Sequence, residues 1–122
     1  MEGHDEQRTS VQMELSNEMV RLYKELFGRG PTKSRTNFAG PDVVLCTLEN
    51  SLTRAEQNMI KLEEHQRVRD VRTFFQHSAE AEFVSVVERV TGRKVRAFVS
   101  GTDTRRDVSS EVFYLEPNDD GE

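Results

Sequence analysis

The stretch Gly28–Lys33, Gly-Arg-Gly-Pro-Thr-Lys, separates a long helical pattern from the first predicted strand. Gly28 is typical of the residue that ends a helix, because glycine adopts a positive φ without steric cost. Pro31 prevents the helix from resuming and favours an extended conformation for Gly30. The glycines, cations and hydroxyl also suggest phosphate binding, but a phosphate loop has a strand before its glycines and a helix after them. Because that order is reversed here, we interpret the stretch as a helix terminator.

The length and composition predict one domain. The chain has 122 residues, with 32% charged and 34% hydrophobic side chains, which is typical of a polar surface over a modest core. No apolar run approaches the roughly 18 residues that a membrane helix needs, and the chain does not open with a secretory leader. A single cysteine excludes an internal disulfide. We therefore expect a soluble cytoplasmic protein that does not insert into the membrane.

The net charge of −5 is concentrated at the two ends of the chain. Acidic residues dominate the first eight and the last seven positions, and the part between them is close to neutral. Such ends are typical of disorder. The sequence therefore predicts a disordered acidic N-terminus over residues 1–9, a single domain over residues 10–116, and a disordered acidic tail over residues 117–122.

Two helical regions are predicted. The first covers residues 10–27, where apolar side chains recur at helical spacing on one face. The second begins at the capping box Thr53–Glu56 and has no Gly or Pro before Gly92. An unbroken helix there would be about 57 Å long, longer than the domain, unless a dimer covered the overhang. The apolar period lapses over residues 63–69, so we expect helices near 54–64 and 67–91. The second of these is predicted to supply much of the core through Val71, Phe74, Phe75, Phe83, Val86, Val87 and Val90.

Four strands are predicted, at residues 34–39, 42–49, 93–100 and 110–115. In the third, Val95, Ala97 and Val99 alternate with Lys94, Arg96 and Phe98, and residues 101–107 are expected to form a polar loop. The sequence therefore predicts an α+β fold of two layers in the order α-β-β-α-α-β-β. An antiparallel four-stranded sheet, made of two hairpins, packs against about three helices.

Residues with catalytic or ligand-binding chemistry are scarce. His4, His65 and His77 lack the companions of a zinc site, and no nucleophile motif occurs. Cys46 lies in the most apolar strand, so we expect a buried, inert thiol. The sequence predicts no enzyme activity and no cofactor.

Basic residues cluster on the last predicted hairpin, at Arg93, Lys94, Arg96, Arg105 and Arg106. Asp103, Asp107 and Glu111 interrupt that cluster, whereas a phosphate-binding face is usually more one-sided. We interpret the cluster as solvated charge, and we interpret Arg67, Arg69 and Arg72 in the same way. Nucleic-acid binding is therefore disfavoured.

Several segments, in this order and spacing, resemble the MpsC-like family, also called YbcI-like: Asn17–Lys24, Gly28–Lys33, Val44–Leu48, Leu52–Glu56, Glu88–Arg93 and Val112–Leu115. The resemblance covers residues 10–116. Its members are small soluble bacterial proteins named for a component of a sodium-translocating, membrane-potential-generating system. The resemblance implies a cytoplasmic accessory or regulatory protein that works with integral membrane ion-transport subunits, at the inner face of the membrane.

Three cations flank the matched turns and are the candidates for partner contact: Arg29, Lys33 and Arg54. Each is also explained as a solvated or structural charge. The alternative function is a free-standing cytosolic regulator, or a dimeric interaction module that binds protein or nucleic acid.

Overall fold

A computed structural model describes the backbone of residues 2–117 and the side chains of residues 8–117. Four helices and four strands follow in the order α1 (Glu2–Phe27), β1 (Lys33–Phe38), β2 (Val43–Glu49), α2 (Arg54–Lys61), α3 (His65–Ser78), α4 (Glu80–Thr91), β3 (Val95–Asp103) and β4 (Val108–Leu115). The strands form one antiparallel sheet in the order β1-β2-β4-β3, in which each outer strand pairs with its hairpin neighbour. The predicted fold class and element order are confirmed.

Helix α1 begins earlier than the sequence predicted. Residues 2–9 were expected to be disordered, but the helix runs from Glu2, and no proline interrupts it before Phe27. It ends where predicted, since Gly28 has a φ of 82° and its N–H donates to the Lys24 carbonyl oxygen at 2.8 Å. The predicted acidic tail lies outside the described residues beyond Pro117.

The second helical region is broken twice. The capping box is present, because the Thr53 hydroxyl accepts from the Glu56 N–H at 3.2 Å and the Glu56 carboxylate accepts from the Thr53 N–H at 2.8 Å. The predicted break follows α2, where Glu63 takes a φ of 63°. A second break was not predicted: it lies at Ala79, a buried residue with φ −100° and ψ 9° that redirects the chain between α3 and α4. No Gly or Pro marks it in the sequence.

Strand β3 differs from its prediction in length and in register. It continues through Asp103, paired with Val108, so part of the predicted polar loop is strand. The pairing shifts between Val95 and Ala97, which is a β-bulge and reverses the later alternation of side chains. Phe98 therefore faces the core, whereas Val99 is 55% exposed.

The core lies between one face of the sheet and the helices α1, α3 and α4. It is built from the apolar stripe of α1, the inward side chains of β2 and β4, and the inner face of α4: Leu15, Met19, Leu22, Tyr23, Val44, Cys46, Leu48, Phe83, Val86, Val87, Phe113 and Leu115. The expected burial of Cys46 is confirmed, and burial raises the pKa of its thiol to about 12.

Helix α3 presents the opposite face to the one predicted. Val71, Phe74 and Phe75 were expected in the core, but they are 45%, 67% and 39% exposed. The buried positions are His65, Val68, Arg72 and Gln76, which recur at helical spacing and are mostly polar. The prediction was wrong because buried polar side chains on the sheet and on α2 form hydrogen bonds with the polar side chains of α3. Hydropathy alone does not reveal such partners.

Candidate functional site

The Gly28–Lys33 turn is packed against α1. A Cβ atom at Gly30 would lie 3.1 Å from Val20 Cγ1 and 3.3 Å from the Val20 carbonyl oxygen, which is tighter than ordinary van der Waals contact, so any side chain there would have to displace α1 slightly. Pro31, the next residue, is buried. The turn therefore serves close packing of the chain on the helix.

The three candidate contact residues lie at one end of the sheet. Arg29 is half-buried, and its guanidinium donates to the Leu52 carbonyl oxygen and to Asn50 Oδ1, the latter at 3.2 Å. Lys33 begins β1 opposite the last residue of β2, and Arg54 begins α2 just beyond the loop that Arg29 holds. Within residues 8–117, Lys33 and Arg54 are exposed and donate no side-chain hydrogen bond. Arg29 thus has an internal structural contact, and a partner contact by any of the three stays a prediction.

Arg72 is buried in the structure, although the sequence led us to predict a solvated charge there. Its guanidinium binds both carboxylate oxygens of Glu56, at 2.7 and 2.8 Å, and donates to Ser51 Oγ and to the Ser51 carbonyl oxygen at 3.1 and 2.9 Å. The guanidinium carbon lies 3.9 Å from the centroid of the Phe27 ring. Burial alone would raise the pKa of Glu56, but the hydrogen bonds from Arg72 and Thr53 outweigh it and hold that pKa below its ordinary value. The pair fixes α2 and the preceding loop onto α3.

A second buried polar group joins α1, α3 and β4. The Tyr23 hydroxyl donates to Glu111 Oε2, and Gln76 Nε2 donates to the same oxygen at 3.0 Å. Glu111 is fully buried, and its other oxygen, Oε1, makes no hydrogen bond within residues 8–117. Ser100 is the residue paired with Glu111 across β3 and β4, and its Oγ is also buried without a hydrogen bond in that part of the chain.

Burial raises the pKa of Glu111 to about 7, and the hydrogen bonds it accepts only partly offset that effect. The same burial and the charge of Glu111 raise the pKa of Tyr23 well above its ordinary value. Burial therefore shifts the titration of the Glu111 carboxyl towards neutral pH.

Both buried polar groups contact partners inside the protein. Each carboxylate is committed to internal donors, and the thiol of Cys46 is buried with Thr36 Oγ1 beside it at 3.5 Å. A surface pocket of about 110 Å³ lies beside Gln76 and Ser100, and its other lining residues are Phe98 and side chains of α3 and α4. These groups stabilise the packing of α3 on the sheet.

The outward face of α3 is apolar. Phe74 and Phe75 form an edge-to-face pair with ring centroids 5.5 Å apart, and Val71 lies one turn before them. We call Val71, Phe74 and Phe75 the α3 apolar face. Large apolar side chains grouped on the surface are typical of a contact with another protein.

The basic side chains of the last hairpin do not form a single surface. Arg93 donates to the Pro41 carbonyl oxygen, to Asp42 Oδ1 and to the Glu116 carbonyl oxygen at 2.6–2.7 Å, so it joins the two hairpins. Glu111, expected to interrupt the basic surface, is buried instead. Asp107 accepts from the N–H groups of the loop before α2 and thus also has an internal role.

Among residues 2–117, no helix combines the length and apolar composition needed to cross a bilayer. In the same described part of the chain, no three His, Cys, Asp or Glu side chains gather closely enough to hold a metal ion.

Comparison with known proteins identifies a family. The family model described as "Na+-translocating membrane potential-generating system (MpsC)" matches residues 7–117, which is nearly the whole chain and confirms the resemblance found in the sequence. No curated protein and no solved structure matches the chain significantly.

Proposed function

The chain belongs to the MpsC family, and from this membership we propose that it is a non-catalytic accessory or regulatory subunit of a sodium-translocating, membrane-potential-generating system. The observation that carries the proposal is the family match over residues 7–117. In this proposal the protein lies at the cytoplasmic face of the membrane, held there by an integral membrane subunit.

The α3 apolar face is the surface we assign to that subunit. Phe74 and Phe75 lie side by side on a rigid helix, and Arg72 and Gln76 anchor the inner side of the same helix through buried hydrogen bonds. A large aromatic side chain that becomes buried at an interface contributes about 1.5–3 kcal/mol, and a few such residues dominate binding. A buried polar inner face combined with an apolar outer face favours a docking helix.

The burial of Glu111, Tyr23 and Cys46 supports a non-catalytic role, because a substrate would not reach these side chains. Glu111 and Tyr23, whose pKa values are both raised by burial, face each other inside the core and away from solvent. We therefore assign them to stability.

Co-purification from native membranes tests the proposal. The tagged chain should be recovered with a multi-spanning membrane protein, and Phe74→Ser should remove that protein from the eluate. Met13→Ser is the matched control, because Met13 is 62% exposed on α1, comparable to the 67% of Phe74. Retention of the membrane partner by Phe74→Ser would exclude the α3 apolar face, and recovery of only soluble partners would exclude the subunit role.

The alternative is a free-standing cytosolic regulator or interaction module. It is favoured if the wild-type chain is absent from the membrane fraction. Salt-sensitive retention on nucleic acid would then identify a nucleic-acid partner, since such binding weakens steeply with ionic strength.

A further inference from the structure

We propose that the sheet face opposite the helices is the contact surface between two copies of this chain, packed face to face about a two-fold axis parallel to the strands. This inference is independent of the proposed membrane partner, because α3 packs on the other face of the sheet. We call the outward-facing side of the sheet the open sheet face. In the described part of the chain no helix packs on it.

The open sheet face has an apolar centre. Its β2 and β4 side chains are half-buried, and those of β3 are exposed. Cross-strand pairing places Leu45 beside Val112 and Val112 beside Val99, and the next row places Val43 beside Tyr114. Val43, Leu45, Val112 and Val99 form one apolar band across three strands, which is typical of a surface that is covered in the functional assembly. At one end of the band the guanidinium carbon of Arg96 lies 5.6 Å from the centroid of the Tyr114 ring.

One end of the same face is charged, with opposite signs on the two edge strands. Lys33 on β1 pairs with Glu49, Glu49 with Val108, and Val108 with Asp103 on β3, so the four residues form one row. Lys33 and Asp103 are exposed at the two ends of that row. The row therefore has a cation at one edge and an anion at the other.

A two-fold axis between β2 and β4, parallel to the strands, makes this surface complementary to itself. It places β1 of one copy opposite β3 of the other and keeps each row opposite its own equivalent. Lys33 of each copy then faces Asp103 of the other, and Leu45 faces Val112. An axis across the strands would instead lay the charged row on the row that holds Tyr114.

The side chains between these rows also fit. Arg35 lies in the row that ends at Gly101, and the two-fold axis brings Arg35 of one copy over Gly101 of the other. A Cβ atom built on Gly101 meets nothing within 4 Å, so this position has room for an arginine side chain. Two sheets packed this way lie about 10 Å apart with their strands roughly 30° from parallel.

The area of the face sets the expected strength of the dimer. Four strands about 4.8 Å apart and about 23 Å long give each copy roughly 440 Å² of projected face. Two such faces together give roughly 880 Å² of projected area, which is below the roughly 1,200–2,000 Å² of a standard interface. We therefore expect a dimer that dissociates on dilution rather than a permanent one.

Sedimentation velocity over a wide range of protein concentration tests the proposal. The wild-type chain should shift from monomer to dimer as concentration rises. Val112→Lys places a charge in the apolar centre and should raise the dimer Kd by at least about tenfold, which corresponds to about 1.4 kcal/mol. Phe74→Ser is the control, because the α3 apolar face lies on the opposite side of the sheet, and it should leave the Kd unchanged.

A charge exchange tests the register. Lys33→Asp alone and Asp103→Lys alone each place like charges together in both contacts, so each should weaken its own dimer. An equimolar mixture of the two variants should dimerise again, because the heterodimer restores both opposite-charge contacts. Asp103 also accepts from the Arg105 and Arg106 N–H groups at 2.9 and 3.0 Å, so thermal unfolding of each variant is measured beside it.

Three results would overturn the proposed dimer or its two-fold arrangement. A chain that stays monomeric at near-millimolar concentration, or a dimer that Val112→Lys leaves intact, would overturn the assignment of this face. A mixture no more dimeric than its components would overturn the two-fold arrangement. None of these results depends on finding the membrane partner, so failure here is distinguishable from failure of the proposed function.

Discussion

Replacing Glu111 by glutamine keeps the shape of the side chain and removes its titration. The amide oxygen of the variant would accept from the Tyr23 hydroxyl and Gln76 Nε2, as Glu111 Oε2 does now. Its amide nitrogen would face Ser100 Oγ, which has no partner among residues 8–117, and would donate to it. The variant is therefore expected to fold with every polar atom of this group satisfied.

The size of the pH-dependent loss of stability follows from the pKa of Glu111. Its carboxyl titrates near 4.5 in the unfolded chain and at about 7 in the folded protein, so the folded state binds the proton more tightly. Stability from this group is then full below pH 4.5 and is lost as pH rises towards about 7. At about 1.4 kcal/mol per pH unit, the total loss is roughly 3 kcal/mol, and about 2.5 kcal/mol of it falls between pH 5 and pH 8.

Urea unfolding at several pH values measures this loss. The free energy of unfolding of wild type should fall by about 2.5 kcal/mol more than that of Glu111→Gln between roughly pH 5 and pH 8. Other titrating groups contribute equally to both proteins and cancel in the difference. Parallel pH profiles for the two proteins would refute a neutral, proton-holding Glu111 in the core.

Three further predictions follow from the packing. Arg72→Met leaves the Glu56 carboxylate without its buried partner and should lower the free energy of unfolding by about 3–5 kcal/mol in a denaturant titration. Arg67→Met is the control at an exposed position, and it should change the free energy of unfolding by less than about 0.5 kcal/mol. Gly30→Ala forces a methyl group against α1 and should cost about 1–3 kcal/mol, seen as a lower Tm, and Val20→Ala in the same chain should recover part of it. Cys46 should resist a thiol reagent in the native protein and react once urea unfolds it; rapid native labelling would contradict its burial.

Local signals in the sequence predicted most of the fold correctly. The capping box at Thr53 and the glycine at position 28 fix helix ends through their own backbone and side-chain chemistry, so they can be identified without tertiary information. The break at Ala79 and the β-bulge before Ala97 arise from how the chain must pack on the sheet. No residue type at these positions indicates a helix break or a bulge, so neither feature was predicted.

The buried polar groups could not be predicted from hydropathy. Arg72 and Gln76 lie on the inner face of α3 because Glu56 and Glu111, distant in sequence, supply their partners. Their spacing of four residues, continuing back to Val68, was the available signal, but Phe74 and Phe75 gave a stronger apolar signal on the other face. The error has a consequence for function, since the residues assigned to the core became the candidate docking surface.

Site-specific photo-crosslinking in native membranes tests whether the α3 apolar face contacts an integral membrane subunit. A benzophenone side chain in place of Phe74 projects from the α3 apolar face, and the same group in place of Met13 provides the control on α1. We predict a light-dependent adduct between position 74 and a multi-spanning membrane protein, and none from position 13. Adducts from position 74 to soluble proteins alone, or no adduct at all, would contradict it.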